Sequence, residues 1–177
     1  MIKKTSLYLL ICLAGSMLSS CFLFGGNDDD PKPEPIPPIE QLPPLTTEGK
    51  GTFGCLVNGE PFVSYYPDAL ADYSTNDLIE VSADFRNIQA SIGIGIRPYE
   101  REEMKFDTSR ATMQFNIRND SMVCDYRAWD NIEGWIEVIE FDPFDEFISG
   151  TFEYSAVNEE CDTVRVTDGR FDLPLVW

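Results

Sequence analysis

Ile79-Glu80-Val81-Ser82-Ala83-Asp84-Phe85-Arg86-Asn87-Ile88-Gln89-Ala90-Ser91-Ile92-Gly93-Ile94-Gly95-Ile96 alternates apolar and polar residues almost from end to end. Successive side chains of a strand point to opposite faces, so Ile79, Val81, Ala83 and Phe85 share one face while Glu80, Ser82 and Asp84 share the other. After an Arg86-Asn87 turn the pattern resumes with Ile88, Ala90, Ile92, Ile94 and Ile96, and with Ser91, Gly93 and Gly95 opposite. The two runs predict one long hairpin with a buried face. The glycines predict a bend or the close approach of a neighbour.

The same period extends outward. Phe53, Cys55 and Val57 alternate with Thr52, Gly54 and Leu56, and Asn58-Gly59 then gives a strong hairpin signal before Glu60 to Ser64. Met113, Phe115 and Ile117 lead through Asn119-Asp120-Ser121 into Met122, Cys124 and Tyr126. Trp135 to Phe141 is apolar apart from Glu137 and Glu140, and Gly150 to Val157 carries Phe152, Tyr154 and Ala156. Thr163–Thr167 and Arg170–Leu173 flank Asp168-Gly169, which predicts a second primed hairpin turn. No segment sustains the three-and-four spacing of a helix. An all-β domain is expected, an antiparallel β-sandwich or partly open β-barrel of about nine strands. Tyr65 to Asn76 alone reads as a loop or one short helix.

Upstream, the chain changes character twice. Lys3 and Lys4, the apolar run Leu7 to Leu13 and the box Leu18-Ser19-Ser20-Cys21 predict a bacterial lipoprotein signal peptide over residues 1–20, with Cys21 as the lipidated residue. The apolar run is shorter than the roughly 20 residues of a spanning helix. Several palmitate-class chains on Cys21, at roughly 0.8 kcal/mol per buried methylene, would hold the protein on the membrane permanently. No second apolar stretch of that length follows, so the rest is expected to be soluble and tethered.

Residues 21–48 read as a proline-rich, acidic tether. Seven of the 12 prolines lie between Gly25 and Glu48, and each fixes φ and removes a donor, favouring extended polyproline II. At roughly 3.1 Å per residue, two dozen such residues reach about 70 Å from a bilayer. Residues 49–177 are then one β-domain.

Of 13 basic residues, two (Lys3 and Lys4) and none of the 31 acidic residues lie in the first 20 positions, so the net charge of −18 becomes 11 against 31, or −20, after cleavage. That argues against nucleic acid as a partner, because phosphate binding needs a positive surface. It equally disfavours contact with anionic lipid headgroups. The acids are spread along the mature chain, as a solvated acidic surface requires. There is no histidine. Ser-His-Asp and Cys-His catalysis and histidine-ligated zinc are thereby excluded. With no glycine-rich phosphate loop and no P-loop lysine motif, no cofactor is expected and the protein is not read as an enzyme.

Three cysteines fall in the domain, enough for one disulfide in an oxidising envelope. Cys55 sits among apolar strand neighbours and reads as a buried small hydrophobe, which makes Cys124 and Cys161 the candidate pair. Carboxylates are the one abundant chemistry, and a glycosidase needs two of them facing each other. Glu137 and Glu140 are separated by an odd number, which predicts opposite faces of one strand. Asp142, Asp145 and Glu146 concentrate oxygen ligands that calcium accepts, without the spacing or glycine of an EF-hand loop. Among aromatics, Phe53, Phe115, Phe152 and Phe171 are expected in the core. Tyr65, Tyr66, Trp129 and Trp135 lie in or beside loops and are the candidate ligand contacts.

Leu42-Pro43-Pro44, the stretch Gly51-Thr52-Phe53-Gly54-Cys55-Leu56-Val57-Asn58-Gly59, Ile148 to Tyr154 and Val164 to Asp172 together resemble a family of uncharacterised Bacteroidota outer-membrane lipoproteins. The resemblance covers the signal and both ends of the domain, while Asp68 to Asn131 matches only in strand rhythm. It implies an all-β, membrane-anchored domain with no catalytic residues to carry over. Asp28-Asp29-Asp30 loosely resembles the acidic tags with which Bacteroidota export lipoproteins to the cell surface. The expected location is therefore the outer membrane, lipid-anchored through Cys21, facing the periplasm or the cell exterior. The favoured function is a noncatalytic module that binds a glycan, a peptide or a partner protein of the envelope. A structural lipoprotein docking by strand addition and a carboxylate-dependent hydrolase are the alternatives.

Overall fold

The computed structural model describes residues 34–74, 78–97, 103–106, 111–118, 122–127 and 132–177. Its packed unit is Ile36–Trp177. Eleven strands are present among these residues: β1 (Thr52–Val57), β2 (Glu60–Tyr65), β3 (Ala69–Ser74), β4 (Leu78–Phe85), β5 (Ala90–Ile96), β6 (Glu103–Lys105), β7 (Ala111–Arg118), β8 (Val123–Arg127), β9 (Ile132–Asp142), β10 (Phe147–Asn158) and β11 (Asp162–Val176). They form one sheet, curled into a half-barrel, in the order β6-β9-β10-β11-β3-β4-β5-β7-β8, with β1 added to β11 and β2 to β1. The domain is all-β, as the alternation predicts.

β11 explains the curl. It is 15 residues long. It pairs with β1 over Val166–Asp172 and then, beyond the end of β1, with β3 at Leu175 and Val176. That last pairing is parallel, so the sheet is mixed rather than antiparallel throughout. One strand thus joins two sets of strands whose inner faces meet. Phe53, Phe85, Phe115, Phe152 and Phe171 fill the space between them with Ile79, Ile92, Ile94 and Ile96. Each such side chain contributes roughly 1.5–3 kcal/mol by leaving water.

The hairpin predicted over residues 79–96 is present, in register from Ile79–Ile96 to Phe85–Ala90. Its turn is longer than the sequence suggests: Arg86–Ile88 form a 3-10 turn, Gln89 is left-handed at φ 50°, and Ile88 is exposed. Gly95 serves close approach, since a Cβ there would lie 2.7 Å from Thr112 Oγ1 on β7. Asn58 and Gly59 take φ values of 50° and 87°, the primed turn their dipeptide requires, and Asn58 Oδ1 accepts the Arg165 N–H at 2.9 Å.

Two departures from the sequence pattern add strands, and a third merges two expected strands into one. The segment read as a loop or helix contains β3, whose inward residues are Ala69 and Ala71, too small to mark an apolar face. The three-residue β6 is too short to show a period. Asp168-Gly169 is not a hairpin turn but a bulge inside β11, where the partners of β10 jump from Gly169 to Val166. Asp168 has φ 55°, and a Cβ on Gly169 would sit 2.5 Å from the Phe152 carbonyl oxygen. Asp-Gly satisfies a turn and a bulge with the same backbone freedom.

Residues 36–50 lie against the outer face of the sheet, so the packed unit starts ahead of Gly49, where the apolar pattern begins the domain. Leu42 and Pro43 are buried over Gly54, where a Cβ would come within 2.5 Å of Pro43 Cδ. Farther along, this strap wraps the Asp172 carboxylate. Thr46 Oγ1 donates to it at 2.6 Å, Gly49 N–H at 2.7 Å, Lys50 N–H at 3.1 Å and Glu48 N–H at 3.2 Å. Asp172 is 1% exposed.

At the other side of the curl, Cys124 of β8 and Cys161 in the β10–β11 turn form a disulfide with Cα atoms 5.8 Å apart. Asn158 Nδ2 donates to the Asp125 carbonyl at 2.9 Å and the Tyr126 hydroxyl to the Cys161 carbonyl at 3.1 Å. Together they clasp β8, which among the described residues pairs with β7 alone, to the opposite half of the curl.

Candidate functional site

Tyr65 closes β2, and Tyr66 begins the turn into β3. Four backbone-directed bonds hold this corner: Tyr66 N–H to the Gly51 carbonyl at 2.8 Å, Asp68 N–H to the Tyr65 carbonyl at 2.8 Å, Asp84 N–H to the Asp68 carbonyl at 2.9 Å and Ser64 Oγ to the Asp84 carbonyl at 2.9 Å. Arg86, in the β4–β5 turn, forms an ion pair with Asp68. On this rigid corner the two tyrosines stay 58% and 56% exposed. Aromatic rings left this open on a pinned backbone are suited to contact with something other than the core.

The corner opens into a cleft of about 520 Å³ lined by Phe62, Ser64, Tyr65, Tyr66, Asp68, Arg86 and Ile88 among others. A second cleft of about 550 Å³ shares Asp84, Phe85 and Arg86 with it and adds Gln89, Ser91, Asn116, Arg118 and Val123. Both volumes lie in the roughly 300–1,000 Å³ range of small-ligand sites. The polar groups offered to a ligand are mixed: carboxylates of Asp68 and Asp84, guanidinium groups of Arg86 and Arg118, and carboxamides of Gln89 and Asn116. Two acids against two bases make this patch locally neutral in a chain of charge −18.

Of the residues singled out by sequence, Tyr65 and Tyr66 come together, whereas Trp135 does not join them. Trp135 lines a separate cleft of about 350 Å³ on β9–β11, with Glu133, Glu153, Arg165 and Thr167. Cys21 and Trp129 lie outside the described residues. Arg86, Asn116 and Arg118 were not legible as site residues, because Arg86 reads as turn and the other two as the polar face of a strand. Only the pairing of β4, β5 and β7 sets them side by side.

The candidate calcium loop is organised by its own backbone. Asp142 Oδ1 accepts the N–H groups of Phe144 at 2.8 Å and Asp145 at 3.0 Å, and the Glu146 carbonyl accepts Leu175 N–H at 2.7 Å. Among the described residues no three acidic, cysteine or histidine side chains converge on a point. Cys55 is free and buried, and burial pushes its thiol pKa up, so it stays protonated at neutral pH.

Glu137 and Glu140 depart from the expected geometry. Glu137 pairs with Thr151 and Glu140 with Ser149, because the register slips between Ser149 and Gly150. Residues two apart on β10 share a face, and so do antiparallel partners; the two glutamates therefore share the outer face rather than opposite ones. They line none of the three clefts.

The fold and site thus define an all-β half-barrel with a tyrosine-rimmed, locally neutral double cleft. No protein-family profile, curated protein or solved structure matches the chain.

Proposed function

We propose that this protein is a noncatalytic binding module, carried on the outer membrane by lipid on Cys21, and that Tyr65 and Tyr66 are its principal ligand contacts. The observation that carries the binding half is the pair of half-exposed tyrosines held over a cleft by a corner that four hydrogen bonds pin. The signal-like residues 1–20, Cys21 and the resemblance of both domain ends to Bacteroidota lipoproteins support the anchored half. Pro-rich residues ahead of the strap supply reach from the membrane, and the strap gives the tether a fixed point of attachment at Asp172.

Two features favour binding over the alternatives. Glu137 and Glu140, the acids singled out by sequence, stand on the outer face of the sheet and away from the clefts, and of the two acids that do line the first cleft Asp68 is ion-paired with Arg86. Strand addition finds two of the sheet's edges blunted: β2 carries Pro61, and β8 is clasped by the disulfide.

Anchoring is tested by Cys21→Ala. Cell fractionation is expected to find the wild-type chain in the outer-membrane fraction and the variant released from it. A variant that stays with membranes, or a wild-type chain that never reaches them, contradicts the anchor.

A further inference from the structure

We infer that the double cleft takes a neutral oligosaccharide, an assignment that rests on the binding function proposed above and narrows it. A sugar ring presents apolar C–H faces and a rim of hydroxyl groups. Tyr65 and Tyr66 supply exposed ring faces for the former. Each hydroxyl both donates and accepts, so its site must hold both kinds of partner. Asp68 and Asp84 accept, Arg86 and Arg118 donate, and Gln89 and Asn116 do both, all with planar heads able to engage two adjacent hydroxyls.

Charge narrows the class. The patch is locally neutral, and the surrounding chain, at −18, repels polyanions. A uronic-acid polymer or a phosphorylated glycan is thus disfavoured against an uncharged one. The backbone disfavours an extended peptide. To add to β2 it needs free main-chain groups along that edge, yet Pro61 has no N–H and the Tyr65 carbonyl is occupied by Asp68 N–H. Size then sets the length of the ligand. Two clefts of about 520 and 550 Å³ share Asp84, Phe85 and Arg86, and each has room for more than one sugar ring, so a chain of sugars is needed to span both.

The test uses the mature protein acylated on Cys21, in detergent micelles. The probes are the neutral hexaoses of β-glucose, α-glucose, β-xylose and β-mannose, with hexagalacturonate, the corresponding monosaccharides and a hexapeptide library as comparisons. Binding is read by calorimetry. The expected result is saturable binding of at least one neutral hexaose, at least tenfold tighter than its monosaccharide. Affinity should fall at least tenfold in Tyr66→Ala, on the first cleft, and in Asn116→Ala, on the second, with both variants melting like wild type. The inference is overturned if hexagalacturonate or a peptide binds more tightly, if the variants keep wild-type affinity, or if no neutral hexaose binds. A peptide or protein captured through Tyr65 and Tyr66 overturns the sugar assignment and leaves the binding function standing. Loss of neither sugar nor protein binding in Tyr66→Ala removes both.

Discussion

Replacing Asp172 with Ala is expected to lower the unfolding free energy by about 3 kcal/mol. The carboxylate accepts from one hydroxyl and three backbone N–H groups of residues 46–50 and is itself 1% exposed. Hydrogen bonds to a charged group are worth about 1.5–3 kcal/mol each, and removing the acceptor leaves the donors to be orphaned or to find water. The strap relieves them by lifting away, which in turn uncovers Leu42, Pro43, Gly54 and Phe147. The cost is therefore capped at the value of the strap and not at the sum of its bonds. At roughly 3 °C per kcal/mol for a domain of this size, the melting temperature should drop by about 10 °C. Proteases should also cut between residues 36 and 50. Asp172→Asn, which keeps the volume but turns an NH2 toward N–H donors, should lose about 2 kcal/mol. An unchanged melting curve with an uncut strap would show that Asp172 does not hold it.

The disulfide carries an effect of similar size through the unfolded chain. Cys124 and Cys161 are 37 residues apart, and closing a loop of that length removes unfolded-state entropy worth about 4 kcal/mol at 25 °C. Cys124→Ala/Cys161→Ala is therefore expected to melt roughly 10 °C below wild type. Reductant should shift the wild type to the same point and leave the double variant where it is. Cys55 does not interfere, because it is buried and paired with nothing. Hydrogen exchange should rise first in β8, whose other ties to the β10–β11 turn are the Asn158–Asp125 and Tyr126–Cys161 bonds. Equal melting temperatures with and without reductant would contradict this account.

These two ties were legible to different degrees. The cysteine pair followed from placing Cys55 in an apolar strand, since only two thiols then remained. Asp172 did not. Alternation in Arg170 to Leu173 assigns Asp172 to the outer face of a strand, and nothing in that run announces that a proline-rich segment more than 120 residues earlier covers it. The long alternating hairpin fixed the fold class because its apolar residues are large. β3 escaped because Ala69 and Ala71 carry too little surface to show a period. Glu137 and Glu140 were misassigned for a different reason: parity along a strand holds only while the register does, and one slip opposite Ser149 reverses it. Asp168-Gly169 misled because a bulge and a turn ask for the same positive φ.

The site shows the same division. Tyr65 and Tyr66 stand out as adjacent rings at the end of a strand, and the structure leaves both open. Their polar partners come from three other strands and turns, so no local pattern joins them. Trp135 satisfied the same aromatic criterion and lines a different cleft.

Capture of envelope material on the mature acylated protein, compared between wild type and Tyr65→Ala/Tyr66→Ala, tests the central claim most directly. Wild type is expected to retain a component whose binding saturates, and the double variant, melting at the same temperature, to retain at least tenfold less of it. Equal retention by both proteins would place the binding function elsewhere on the molecule and contradict the site described here.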